Sequence, residues 1–169
     1  MSMLRQTPSQ TIGPFFHFAL VSPGGNDNQE AHGQRIEISG HVFDGLGAAV
    51  PDALIEIWQT GSAGGFARSA TDEGGWFCFH VARPRAVADP NGGVQAPHLA
   101  VGVFARGLLK RLVTRIYFEG APENERDLVL SLVPASRRAT LVAKHESGAN
   151  RFRFDIVLQG PAETVFFDC

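Results

Sequence analysis

The sequence predicts an all-β protein, an antiparallel β-sandwich with an extended N-terminal arm, and three observations carry that prediction. Short runs rich in β-branched and aromatic residues recur along the chain, several alternating apolar and polar with period two. Turn-forming residues punctuate the chain at Asp44-Gly45, Gly64-Gly65, Asp72-Glu73-Gly74-Gly75, Asn91-Gly92-Gly93 and Ser147-Gly148. No segment holds a convincing apolar stripe at helical spacing over about 12 residues. Residues 106–115 come nearest, with Leu108, Leu109 and Leu112 on one side, but Gly107 and Val113 weaken a helix there.

Taken in order, the first 33 residues stand apart. They contain Pro8, Pro14, Pro23 and a Gly-Gly-Asn-Asp-Asn run, a composition that cannot build a core of its own. The stretch Ile12-Gly13-Pro14-Phe15-Phe16 argues that this arm lies against another surface, because exposed Phe-Phe is costly. Residues 34–169 are expected to form the sandwich. In 35–43 (RIEISGHVF) Ile36, Ile38 and, past Gly40, Val42 alternate. In 53–60 (ALIEIWQT) Ile55 and Ile57 share one face, while Leu54, Glu56 and Trp58 share the other. Residues 76–82 and 99–105 read as buried strands. Residues 112–119, 128–133, 140–145 and 151–159 complete the set, with 164–167 as a final edge strand.

Composition removes several classes of function. Fifteen Lys and Arg face 17 Asp and Glu, a net charge of -2, which is not the clustered basic footprint of a phosphate-backbone binder. No apolar run approaches the roughly 20 residues that span a bilayer, and MSMLRQTPSQ lacks the apolar core of a signal peptide, so a cytoplasmic protein is expected. Two cysteines, Cys78 and Cys169, are too few for a disulfide framework and read as reduced thiols. There are 13 Phe but one Tyr, Tyr117, so an aromatic core is available while phenol chemistry is scarce.

Local catalytic motifs are missing: no phosphate-cradling glycine loop, no CxxC, no paired-histidine helix. His17, His32, His41, His80, His98 and His145 are scattered, and each alone reads as a hydrogen-bonded structural residue rather than a ligand. Arg106, Lys110, Arg111 and Arg115 form a basic set that either binds an anion, since a guanidinium fork matches a carboxylate, or is a solvated face. On the residues alone both readings stay open.

An ordered series of segments resembles the intradiol aromatic-ring dioxygenases. It comprises Thr7-Pro8-Ser9-Gln10-Thr11-Ile12-Gly13-Pro14-Phe15, Ala53-Leu54-Ile55-Glu56-Ile57-Trp58-Gln59, Thr71-Asp72-Glu73-Gly74-Gly75-Trp76, Ala96-Pro97-His98-Leu99, Phe104-Ala105-Arg106-Gly107, Thr114-Arg115-Ile116-Tyr117-Phe118, Arg151-Phe152-Arg153-Phe154-Asp155-Ile156 and Glu163-Thr164-Val165-Phe166-Phe167-Asp168. Each alone is weak; together, in order, they cover nearly the whole chain.

The resemblance implies a catalytic centre of ferric iron held by two tyrosinates, which are hard anionic donors, and two imidazoles. Carried over position by position, the first tyrosine falls on Phe66. The second falls on Val87 or a neighbour. The first histidine falls on His98 and the second on Ala100, while an arginine ahead of the histidines is replaced by Gln95. Two tyrosinates cannot come from one tyrosine. The resemblance therefore implies a subunit that binds no metal itself, has no catalytic residue of its own, and pairs with an Fe(III)-bearing companion chain in a hetero-oligomer of several copies. It further implies that Thr11, Gly13, Pro14 and Phe15 of the arm, with Arg106, line the pocket of a carboxylated catechol, 3,4-dihydroxybenzoate. Two competing readings make different predictions. A transthyretin-like small-molecule binding module would be a self-sufficient homo-oligomer. An iron enzyme built on His98 with His80 or Asp89 would carry stoichiometric metal in the isolated chain.

Overall fold

The computed structural model describes residues 10–13, 19–27, 33–59, 65–89, 92–147 and 150–168. Eleven strands are present among them: β1 (Arg35–Phe43), β2 (Leu54–Gln59), β3 (Gly65–Ala70), β4 (Trp76–Ala82), β5 (Val87–Ala88), β6 (Val94–Gln95), β7 (His98–Phe104), β8 (Leu112–Phe118), β9 (Val142–His145), β10 (Arg151–Arg153) and β11 (Ile156–Val157). The main sheet runs β4-β1-β10-β9-β8-β7-β2-β3, with β11 continuing along β1 beyond β10; β5 and β6 form a separate small hairpin. Antiparallel pairing prevails. The exceptions are β1 with β10, β1 with β11, and β8 with β9, which run parallel.

The sheet curls so that its two halves face each other across one core. Ile36, Ile38 and Val42 of β1 and Phe77, Phe79 and Val81 of β4 come from one half. Ile55 and Ile57 of β2, Leu99, Val101 and Val103 of β7, and Ile116 and Phe118 of β8 come from the other. The period-two pattern thus places its apolar set inside, as a sandwich requires. Among the described residues, no helix is long and apolar enough to cross a membrane.

One backbone contact explains why the expected strand 151–159 is broken. A Cβ added to Gly40 would sit 1.7 Å from the carbonyl oxygen of Phe154. Only a residue without a side chain lets the chain cross β1 so closely. Phe154 N–H donates to Ser39 O at 2.9 Å, and the Asp155 carboxylate takes the amide of His41 at 2.9 Å. Asp155 thereby substitutes for a ladder partner, and pairing resumes at β11.

Three other expectations are corrected. Residues 128–133 are not a strand: Leu128–Leu132 is a short helix, α1. Asp127 caps it by accepting from the amide of Leu130 at 2.7 Å, and Val133 leaves the helix with Pro134 following, where the fixed ring favours a stop. Its apolar residues Leu130 and Val133 pack with Ala96, Tyr117 and Leu141 in a second, smaller cluster. The start of 140–145 belongs to a 3-10 turn, Arg138–Leu141, before β9 begins. The final segment 164–167 forms a single bridge, Phe167 to Val113, rather than a strand. Residues 106–115, where Gly107 and Val113 argued against a helix, are indeed not helical: a tight turn, with Leu108 N–H on Ala105 O at 3.2 Å, leads into β8. The strand β3 went unread in the sequence.

Candidate functional site

The positions inherited from the family resemblance meet on one face of the sheet. Phe66 of β3 lies beside Trp58 of β2, Trp58 beside Ala100 of β7, and Ala100 beside Arg115 of β8. Residues in lateral register on neighbouring strands point the same way. One step along, two residues away on each strand, His98 lies beside Tyr117. The β5–β6 hairpin brings Val87 opposite Gln95 and reaches Arg115 through Gln95.

The chemistry of that row is apolar at one end and hydrogen-bonded at the other. Trp58, about half exposed, packs against Phe66 with ring centroids 4.4 Å apart, and the Arg68 guanidinium lies 4.8 Å above the Phe66 ring. From Ala100 onward a polar chain takes over. Arg115 donates to Gln95 Oε1 at 3.1 Å, and Gln95 Nε2 donates to Asp89 at 2.8 Å. The Tyr117 hydroxyl donates to Asp127 at 3.0 Å, and Arg115 approaches that hydroxyl at 3.4 Å. Asp127, fully buried, also accepts from the amides of Ala96 at 2.7 Å and Leu130. Its carboxylate is satisfied by three donors and pins β6, β8 and α1 together.

These groups do not fit a ferric ion. Phe66 and Ala100 have no donor atom, and Arg115 presents a permanent cation to the same face. Burial pushes the Tyr117 phenol up, an effect that the nearby Arg115 opposes and Asp127 reinforces. The tyrosine therefore stays protonated and is not a tyrosinate donor at neutral pH. His98 is buried and donates through Nδ1 to the Ala96 carbonyl at 2.8 Å, the role of a structural histidine. Burial holds its pKa below the ordinary range, with Arg115 acting in the same direction against the Ala96 bond and Asp127. Among the described residues, the one group of three close metal-donor side chains is elsewhere and includes neither His98 nor Asp89.

Tyr117 makes this testable by pH. Its phenol is raised in the fold above the ordinary value near 10, so the neutral form is favoured when folded. Stability from this group is fully present below about pH 10 and is lost as pH rises further, because the unfolded chain then releases the proton first. Urea unfolding at about pH 8 and 10.5 should show a fall in midpoint that Tyr117→Phe flattens. Equal falls in both proteins would remove Tyr117 as the cause.

The residues expected to touch substrate lie at the other end of β7. Arg106 follows that strand in the turn at 105–108, eight residues past His98, so the two sit about 25 Å apart along extended chain. Thr11 docks on the same turn. Its hydroxyl donates to Ala105 O at 3.3 Å and accepts from the amide of Gly107 at 3.0 Å. Gly107 adopts φ 84°, a left-handed value that suits glycine. Arg106 pairs through Nε with Asp52 at 3.1 Å, and its side chain remains largely exposed. Gly13 has open space around the position a Cβ would take. Pro14 and Phe15 lie outside the described residues.

The structure thus unites Thr11 with Arg106 and separates both from the row around His98. The role of Asp127 was not read from sequence. An Asp immediately before Leu128-Val129-Leu130, with Pro134 beyond, was the cap signal that could have revealed it.

Comparison with known proteins agrees with this geometry. Residues 21–97 match the family model described as Dioxygenase. The chain is 40% identical to the protocatechuate 3,4-dioxygenase alpha chain of Burkholderia cepacia, over 99% of this chain and 100% of that one. It is 28% identical to the beta chain of protocatechuate 3,4-dioxygenase from the same species, over 90% of this chain and 75% of that one. Among solved structures, it resembles the dioxygenase domain of a dioxygenase and carbohydrate-binding protein fusion from Streptomyces sp. SirexAA-E. The TM-score is 0.62 at 25% identity, covering 92% of this chain and 99% of that one.

Proposed function

The chain belongs to the intradiol dioxygenase family, and on that premise we propose that it is the alpha subunit of a protocatechuate 3,4-dioxygenase, inactive alone and paired with an iron-bearing beta chain. Together the two would cleave 3,4-dihydroxybenzoate with dioxygen, between its hydroxylated carbons, to 3-carboxy-cis,cis-muconate. The observation that carries this reading is the row Phe66–Trp58–Ala100–Arg115 with the hydrogen-bonded Tyr117 beside it. It keeps the family's frame and lacks donors for the family's ferric ion, so Fe(III) is assigned to the companion chain. The relatives named alpha and beta chains support two kinds of subunit.

In this reading the alpha chain shapes the pocket. Residues 1–33 act as the arm. Thr11, Gly13, Pro14 and Phe15 offer backbone and apolar surface to a planar ring, and Arg106 offers positive charge to the ring's carboxylate. The Thr11 clasp supports this grouping, because it ties the arm to the turn that carries Arg106. Its distance from the His98 row suits residues that serve a centre on another chain.

Co-expression with a beta chain, followed by metal analysis and oxygen uptake on 3,4-dihydroxybenzoate, tests the proposal. This chain alone is expected to carry no iron, and activity is expected only when both chains are present. An isolated chain that is iron-loaded and active would overturn it. A stable homo-oligomer that never associates with a beta chain would favour the binding-module reading.

A further inference from the structure

On the outer face of the other half of the sheet, Glu37 of β1 lies directly opposite His80 of β4, and Cys78 lies two residues before His80 on the same side. Cys78 Sγ and His80 Nε2 are 3.8 Å apart, and one donor atom from each of Glu37, Cys78 and His80 lies within 4.8 Å of the other two. We infer that these three side chains form a binding site for a borderline-soft divalent cation, Zn(II) above all, with a fourth position open to water.

The donor set decides the class of ion. A thiolate, an imidazole and a carboxylate together suit tetrahedral Zn(II) or Co(II), and the sulfur disfavours the hard cations Mg(II) and Ca(II). The backbone holds the donors ready. Strand register places Glu37 against His80. On its other side β4 is secured by Asn26, whose carbonyl accepts from the His80 amide at 3.0 Å and whose side-chain amide donates to the Cys78 carbonyl at 3.0 Å. All three donor residues are at least partly open to solvent, so an ion has access.

Two cations border the site: Arg35 donates to the His80 carbonyl at 2.7 Å, and Arg151 competes for the carboxylate itself. Arg151, opposite Glu37 on β10, pairs with Glu37 Oε1 at 3.2 Å. In the metal-free chain it neutralises the carboxylate, and binding exchanges this exposed guanidinium for the ion. Burial, followed by the nearby Glu37, raises the Cys78 thiol, so the empty site holds a thiol and coordination displaces its proton. The site faces away from the core and shares no residue with the His98 row or the Thr11–Arg106 turn, so it is independent of the function proposed above.

Cobalt(II) titration of the full chain, kept reduced with a phosphine, reads the site directly. One equivalent should raise a thiolate-to-cobalt charge-transfer band in the near ultraviolet, and Zn(II) should bleach it. Cys78→Ser should abolish the band. His80→Ala, at an exposed position that leaves the fold intact, should weaken binding at least about tenfold. Cys169→Ser should leave it unchanged. The absence of a band at saturating cobalt, or a band that survives in Cys78→Ser, would overturn the site.

Discussion

Arg106→Ala in the assembled two-chain complex is expected to raise the KM for 3,4-dihydroxybenzoate about 10- to 100-fold, corresponding to the roughly 1.5–3 kcal/mol of a hydrogen bond to a charged group. The guanidinium would contact the carboxylate, which does not react, so it binds ground state and transition state alike. The effect should therefore fall on KM rather than kcat. Catechol, which lacks the carboxylate, should be indifferent to the change. Arg106→Lys keeps the charge and loses the planar fork, and should fall between. Steady-state oxygen uptake on both substrates checks all three expectations, and an unchanged KM for the carboxylated substrate would remove Arg106 from the pocket. Asp52 enters this experiment as well. It already holds the Nε edge of Arg106, which orients the terminal amino groups for a second anion.

Gly40→Ala should destabilise the chain by about 3 kcal/mol or more, lowering the thermal midpoint by roughly 10 °C for a domain of this size. The added methyl would meet Phe154 backbone rather than a flexible side-chain end, so relief requires moving the 151–157 segment off β1. That segment supplies the partners that close one half of the sheet. Thermal melting followed by circular dichroism measures the loss. A shift below about 2 °C would mean that the crossing relaxes without disturbing the pairing.

Much of the fold was legible because period-two alternation is a local signal. The runs at 35–43 and 53–60 each carry their own apolar spacing, and each became a strand with that set inside; 76–82, read as a buried run, also became a strand. Leu128–Leu132 was misread because a short apolar run looks the same as strand or helix. The difference lay in Asp127, a capping residue whose effect depends on one amide three positions on. The break at Phe154 was illegible for another reason. It depends on Gly40, more than a hundred residues earlier, and nothing at either position announces the other.

The site divides in the same way. The missing phenolates could be counted, since one tyrosine cannot serve as two. The residues standing in their place, Phe66 and Val87 or a neighbour, could be read as well, but the hydrogen-bonded chain beside them could not. Arg115, Gln95, Asp89 and Tyr117 become neighbours only after β6, β7 and β8 align, and Arg115 alone read either as part of an anion-binding set or as part of a solvated face. Thr11 and Arg106 were both expected in the pocket. That Thr11 is tied to Ala105 and Gly107, on either side of Arg106, is a product of the fold.

The guanidinium of Arg115 also bears on how an enzyme of two unlike chains would be loaded. A relic cavity that retained spare oxygen and nitrogen donors would draw ferric ion away from its partner whenever the supply ran short. If the iron belongs to the companion chain, a resident cation tied to Gln95 would oppose its binding here. Each heterodimer would then take up a single iron, and its occupancy would depend on one chain's affinity instead of a contest between two.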